Sequence, residues 1–350
     1  MENKNFLKHI DQIAQEYEIT REQVINALEK ALISGCKKTF QIKKCRVFFD
    51  SNYDKITLYK QYIVVDEKCD ISVFKEQDYI HLKKAKELNP SVEVGELLEI
   101  EVDPKKDFNF YGSRDFKNKF NEELLKCQRE NIFNFFKQYE NKLMMAEVIE
   151  EKLKFFILML EKNFKTFIFK KDLMLNDHFN IGEKIFVLIT EVRNSTPKHL
   201  QIFVSRINNQ FVVELLKYFI PEIRDGLVQI MAIARIPSSR VKVGLFSNNK
   251  KIDPIGTCIG EKGYRIKNIL NILRGEKIDL FKWSADIEKL IINALKPAQI
   301  IQILNLDFEK KIALVSVAPD QVALAIGKSG QNLKLAMKVT QWQIEIQTNQ

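Results

Sequence analysis

Ile259-Gly260-Glu261-Lys262-Gly263-Tyr264-Arg265-Ile266-Lys267 returns 67 positions later as Ile326-Gly327-Lys328-Ser329-Gly330-Gln331-Asn332-Leu333-Lys334. The isoleucine, both glycines and the final lysine are identical, and Ile266 is matched by Leu333. Glycine at both ends of such a loop opens backbone angles closed to other residues. It also removes the Cβ atoms that would hold a sugar-phosphate chain away. The amides of a helix starting directly after the loop point at phosphate oxygens, aided by the helix dipole. Lys262 and Lys328 fall inside the loops, while Arg265, Lys267 and Lys334 fall on the helices expected to follow. Ile259, Ile266, Ile326 and Leu333 are expected to floor the site for bases, and Gln331 and Asn332 to hydrogen-bond base edges or sugars. The expected nucleic-acid-binding set is therefore Gly260, Glu261, Lys262, Gly263, Arg265 and Lys267, with Gly327, Lys328, Ser329, Gly330, Gln331, Asn332 and Lys334 in the second copy.

A Gly-x-x-Gly loop entering a helix is the phosphate clamp of KH domains, which hold about four single-stranded nucleotides. The flanking pattern repeats with the loop. Helix 211–219, strands 229–235 and 241–246, the loop with its helix and strand 277–281 are followed by helix 286–295, strands 299–307 and 311–317, the second loop and strand 343–347. This α-β-β-α-α-β order is that of a type II KH domain, so residues 207–282 and 283–350 are read as tandem KH domains packed as one rigid unit. Upstream, residues 139–206 show five short apolar runs (146–149, 155–160, 166–169, 184–192 and 200–204), the spacing of a small all-β OB-fold barrel. Residues 1–138 read as an α/β domain. Phe6, Ile10, Ile13, Ala14 and Tyr17 line one helix face. Thr20-Arg21-Glu22-Gln23 is a capping box opening a second helix, with Gly35 as its expected stop. Strands are expected at 46–49, 56–65, 71–74 and 97–102, and a long connector helix from 113 to 138. The fold class expected is multidomain α+β.

Composition sets the class. With 45% apolar and 29% charged residues in 350, the chain is a globular protein with room for several domains. No signal-peptide region and no membrane-length apolar stretch occur. Five widely spaced cysteines without a Cys-x-x-Cys pair suit a reducing cytoplasm better than disulfides or a zinc site. The net charge of +9 is uneven: residues 1–138 carry 24 basic and 24 acidic side chains, 139–206 carry 11 and 9, and 207–350 carry 20 and 13. Only 11 of the 55 basic residues are Arg, which fits an AT-rich codon bias, but bias alone would spread the surplus evenly. Its concentration around the two loops points to phosphate neutralisation. Gly327-Lys328-Ser329 does not end a Walker A loop, because position 322 is Val322 where that motif needs glycine. His9, His81, His178 and His199 are scattered without a nucleophile–base pattern, so no catalytic residue, metal site or cofactor is expected.

The stretch from Lys251-Ile252-Asp253-Pro254 through Ile266 closely resembles the hallmark of the NusA family of bacterial transcription factors. So do Gly275-Glu276-Lys277-Ile278-Asp279, Ile292-Asn293-Ala294-Leu295-Lys296-Pro297-Ala298 and Ala325–Ala336 around the second loop. Asn89-Pro90 followed by Val94-Gly95-Glu96 is similar to the family's N-terminal domain. The resemblance implies a cytoplasmic, monomeric, non-enzymatic protein. Its first 138 residues would dock on RNA polymerase near the RNA exit channel, while the barrel and KH domains receive nascent RNA. Pausing, intrinsic termination and, with other Nus factors, antitermination would be modulated. Three departures limit what is carried over. Met145-Ala146 stands where the barrel usually has a glycine, and the barrel interior reads as unusually rich in Phe. A family Phe-Gly-Arg stretch reads Phe108-Asn109-Phe110, so no contact is assigned to that arginine. No acidic repeats follow the second KH domain, so regulation through them is expected to be absent. The alternative, an accessory RNA-binding module of an RNA-processing or ribosome-associated complex, leaves the electrically neutral first 138 residues without a role.

Overall fold

The computed structural model describes residues 3–49, 56–69, 78–196 and 199–348, so the strand expected at 71–74 lies outside the described residues. The chain divides at about residue 134 into two compact units, which are taken one at a time.

In the first unit, α1 (Asn3–Glu16) and α2 (Arg21–Phe40) precede β1 (Cys45–Phe49), β2 (Ile56–Val65), β3 (Tyr79–His81), α3 (Leu82–Leu88), β4 (Leu97–Val102), α4 (Pro104–Asp107) and α5 (Phe110–Lys137). The capping box of α2 forms as expected, with Thr20 accepting from the Gln23 amide. Gly35 does not stop α2, which runs on to a left-handed cap at Gln41. Its role is close approach instead. A Cβ on Gly35 would lie 2.4 Å from the Phe108 ring, and one on Gly112 of α5 would lie 1.8 Å from Thr39 Oγ1 and 2.8 Å from the Gly35 carbonyl. Two glycines thus let α2 and the start of α5 touch backbone to backbone. Strand β2 is the hub of the sheet, antiparallel to β1 and β4 and parallel to β3.

The second unit opens with β5 (Leu143–Glu151), β6 (Phe155–Met159), β7 (Lys165–Phe169), β8 (Lys184–Thr196) and β9 (His199–Ser205), in the order β7-β6-β5-β8-β9. These are the five strands read from the sequence. They curl into a nearly closed OB-like barrel, and Thr166 Oγ1 of β7 bridges its seam by donating to the Ile202 carbonyl of β9 at 2.6 Å. The expectation of a Phe-rich interior holds for Phe156 and Phe179, which are buried, but not along β7, where Thr166 and Ile168 are buried while Phe167 and Phe169 point out.

Two copies of one motif follow. The first is α6 (Asn209–Phe219), α7 (Pro221–Arg224), β10 (Gln229–Ile236), β11 (Arg240–Phe246), α8 (Pro254–Ile259), α9 (Tyr264–Ile272) and β12 (Lys277–Lys282). The second is α10 (Ile287–Leu295), β13 (Ile300–Asp307), β14 (Ile312–Val317), α11 (Val322–Ile326), α12 (Gln331–Thr340) and β15 (Gln343–Thr348). Each sheet has its middle strand antiparallel to the first and parallel to the last, as a type II KH domain requires.

Barrel and first KH domain share a core, since Met174 and Leu188 pack with Phe211, Leu215 and Val241. At this junction Arg206 pairs with Asp177 at 2.8 Å and donates to the Ile272 carbonyl at 2.9 Å. Arg235 pairs with Glu276 at 2.7 Å and donates to the carbonyls of Arg206 and Asn208. Both side chains of the Arg235–Glu276 pair are fully buried. The two KH domains also share a core: Ala232, Ala234, Ile236 and Phe281 of the first sheet pack with Leu335, Ala336 and Val339 of α12. Lys242, buried beneath them, donates to the Lys296 carbonyl at 3.0 Å, and burial pulls its ammonium below the usual lysine range. Strand register places Gln302, Asn305, Asp307 and Gln347 at the corresponding positions of the second sheet. Those four positions are polar where their counterparts are apolar and covered.

Removing one member of a buried ion pair strands the other charge, at a cost of about 3–5 kcal/mol, whereas replacing both with apolar residues of similar volume is close to neutral. Glu276→Ala is therefore expected to lower the unfolding free energy of the second unit, measured by urea titration, by an amount in that range, and the Arg235→Met/Glu276→Leu pair to recover most of it.

Candidate nucleic-acid interface

The two Gly-x-x-Gly loops superpose angle for angle. Gly260, Lys262 and Gly263 have φ of 72°, 51° and 75°, and Gly327, Ser329 and Gly330 have 75°, 51° and 73°. Three positive-φ positions within four residues turn the chain sharply between α8 and α9, and again between α11 and α12. The two glycines of each loop serve different ends. A Cβ on Gly327 would sit 2.8 Å from the Cβ and 2.9 Å from the backbone nitrogen of Asn332, so the first glycine is a matter of close approach. Beside Gly263 and Gly330 only the Lys267 and Lys334 stems come near, at 3.8 and 3.7 Å, so the second glycine is there for its backbone angle. Those contacts also show both lysine stems running past the loop.

Helix starts are of two kinds, those with a side-chain cap and those without, the latter including α3, α7 and α11 as well. Thr20, Asn208, Asp253 and Asp286 each cap a following helix with a side-chain oxygen. The helices behind the loops, α9 and α12, start from Gly263 and Gly330 with no side-chain cap. Their first-turn amides carry partial positive charge and have no side-chain acceptor, which makes each helix start a natural anion seat. Ile259 and Ile326 are both exposed beside the loops, and Ile266 and Leu333 lie partly buried beneath. Lys262, Lys267, Lys328 and Lys334 have no ion-pair partner among the described residues.

Three residues of the expected set have other duties. Asn332 is 4% exposed, and its Nδ2 donates to the carbonyls of Leu295, Leu324 and Ala325 at 2.9–3.1 Å. It pins the loop from inside and does not face a ligand, which corrects the expectation that it reads bases or sugars. Arg265 occupies the same position in the first copy and does the same work with longer reach. Its Nη1 donates to the Thr257 carbonyl at 3.0 Å and to Glu222 of α7 at 2.7 Å. Gln331 accepts from Ser239 Oγ of the first KH domain at 2.9 Å, tying the second loop to its neighbour. Around the first loop Glu222, Thr257, Glu261, Tyr264 and Lys267 line an open cleft of about 790 Å³.

The sequence reading missed several exposed groups. Tyr264, the first residue of α9, is 70% exposed. On the barrel, Phe155, Phe167 and Phe169 form a ring cluster with centroids 5.2–6.2 Å apart. Lys171 lies over Phe169 at 5.4 Å and Arg193 over Phe203 at 5.1 Å, beside a cavity of about 640 Å³. Aromatic rings edged by cations are the furniture of single-strand stacking surfaces. Phe167 and Phe169 could have been found from the sequence, because alternation about Ile168 puts both on one strand face. In the first unit, Phe110 and Tyr111 are exposed at the start of α5, with the Arg114 guanidinium within 6 Å of each ring centroid. No helix among the described residues is long and apolar enough to cross a membrane.

Three family profiles match the chain: the NusA N-terminal domain over residues 5–130, the NusA-like first KH domain over 206–283 and the NusA-like second KH domain over 287–350. Among curated proteins, the transcription termination/antitermination protein NusA of Halalkalibacterium halodurans is 34% identical over 99% of this chain and 88% of its own length. The protein of that name from Bacillus subtilis is 34% identical over 96% of this chain and 88% of its own. That from Thermus thermophilus is 32% identical over 99% and 90%. With this identity running almost end to end, and with both clamps and the barrel in the expected order, the chain belongs to the NusA family.

Proposed function

We propose that this chain is a transcription elongation factor of the bacterial cytoplasm that docks on RNA polymerase through residues 1–138 and receives nascent single-stranded RNA on residues 139–350. In this role it modulates pausing, intrinsic termination and, with other Nus factors, antitermination. The observation that carries the reading is the pair of uncapped helix starts behind matching Gly-x-x-Gly turns, one helix packed in the core shared with the barrel and the other in the core shared by the two KH domains. Such loops cradle a splayed backbone and leave bases free to lie on the apolar floor, which a paired helix does not allow. The regional charge supports the same division: 0 over residues 1–138 and +7 over 207–350. The proposed RNA contacts are the loop residues Gly260–Gly263 and Gly327–Gly330 with Lys267 and Lys334. Arg265, Gln331 and Asn332 position the loops, and the Phe155–Phe167–Phe169 face extends the path onto the barrel. Holding these clamps beside the exit channel raises their effective concentration at the transcript, so modest intrinsic affinity suffices. The proposed partners are polymerase and RNA, with the chain acting as a monomer, and no step calls for catalysis or a cofactor.

Lys328→Asp/Ser329→Asp places two carboxylates where phosphates sit while leaving both glycines in place. The positions are exposed, so the fold is expected to be unchanged by circular dichroism, while affinity of the full chain for a single-stranded RNA falls at least ten-fold in a filter-binding titration. Glu261→Asp/Lys262→Asp should weaken it in the same direction. Retained affinity in both folded variants contradicts the clamp assignment.

On a pause-containing template the full chain is expected to lengthen pauses, and residues 1–138 alone to bind polymerase with weaker effect on termination. A clamp-defective full chain should behave like the fragment. Failure of residues 1–138 to bind polymerase contradicts the division of labour.

A further inference from the structure

We propose that the two clamps hold RNA by different physics: the first chiefly by stacking a base on Tyr264, the second chiefly by charge on Lys328 and Lys334. The proposal rests on the RNA-binding reading above and deepens it. The two loops share a backbone, an exposed isoleucine and the trailing lysine, Lys267 or Lys334, but differ in the other groups they present. In the first, Glu261 sits inside the loop beside Lys262. Arg265, the strongest cation nearby, is held by Glu222 at 2.7 Å. Counting Glu261 against Lys262 and Lys267, the first loop offers a weak net positive charge. In the second loop no carboxylate occupies the corresponding place: Lys328 replaces Glu261, and Asn332 replaces Arg265 without needing an acidic partner.

The helix starts differ in the opposite sense. Tyr264 opens α9, is 70% exposed and lines the cleft, with no ring stacked on it among the described residues. Its counterpart Gln331 is drawn back against Ser239 of the neighbouring domain. An exposed tyrosine directly after a phosphate seat is placed to receive the base of the nucleotide whose phosphate the loop holds, and every base has a face to stack. Contacts to phosphate release counterions and so weaken with salt, by about 0.7 in the log–log slope for each cation on a single strand. Stacking carries no such dependence. The first clamp thus keeps its hold as ionic strength rises, and the second supplies the salt-sensitive part.

The test is a salt titration of the full chain with a single-stranded RNA long enough to reach both loops. Tyr264→Ala is expected to weaken binding roughly five-fold or more at every salt concentration with the slope unchanged, and Tyr264→Phe, which keeps the ring, to bind like the parent. Lys328→Gln/Lys334→Gln is expected to reduce the slope by about 1.4 in all. Wild-type affinity in Tyr264→Ala, or a slope lowered as far by Tyr264→Ala as by the lysine pair, overturns the proposal. If the parent chain binds no single-stranded RNA, the underlying reading fails as well, which separates that outcome from the other two.

Discussion

The buried arginine network between barrel and first KH domain is the constraint from which the second unit is built. Arg235 uses its guanidinium twice, on the Glu276 carboxylate and on the carbonyls of Arg206 and Asn208, the short linker joining β9 to α6. Arg206 in turn takes Asp177 from the barrel and the Ile272 carbonyl from the end of α9. The rings of Phe179 and Phe211 lie against these guanidinium groups at 5.0–5.8 Å. Desolvating two arginines is expensive, and burial pushes the Arg206 guanidinium down while Asp177 opposes it. An arrangement of this kind is retained only where nearly every donor is used. Here the donors are spent on backbone carbonyls of the linker and on the far end of the clamp helix, so they fix orientation as much as they add stability.

From that junction the geometry propagates. The first KH sheet is held by the barrel through one shared core and receives α12 of the second KH domain through another. Because α12 is itself the helix behind the second loop, that anion seat is packed directly on the first domain. The separation of the two clamps is therefore set by side-chain packing and not by a linker. Gln331 and Lys242 add polar ties across the same seam. A reader built this way meets extended RNA with two seats at a set distance and avoids the ordering cost that a flexible pair would meet on binding.

Much of this was legible in the residues. Period-2 and helical patterning placed the barrel strands and both KH motifs within a few residues of their ends, and the duplicated loop marked the candidate site. Three of the misses share one cause: tertiary partners that no local pattern encodes. Gly35 looks like a helix stop, yet it is a contact point, because its partner Gly112 lies 77 positions away. Asn332 looks like a base reader because it is polar and follows a clamp, but the Leu295 carbonyl, 37 residues upstream, claims it. Glu222 was not singled out at all, since nothing near it in the chain hints that Arg265 reaches across to it. Short β3 and α3 escaped for a different reason: three- and seven-residue elements carry too little periodicity to stand out.

Joint occupancy of two clamps at a fixed separation by one strand has a signature in the affinity of the full chain measured against single-stranded RNA length. Each clamp takes about four nucleotides, so oligonucleotides shorter than about eight cannot fill both. Affinity should be low for short strands, then rise steeply at the length that first reaches both loops and level off beyond it. The rise should vanish when either loop carries paired aspartates. A smooth increase with length, or a step that survives disabling one loop, would contradict joint occupancy.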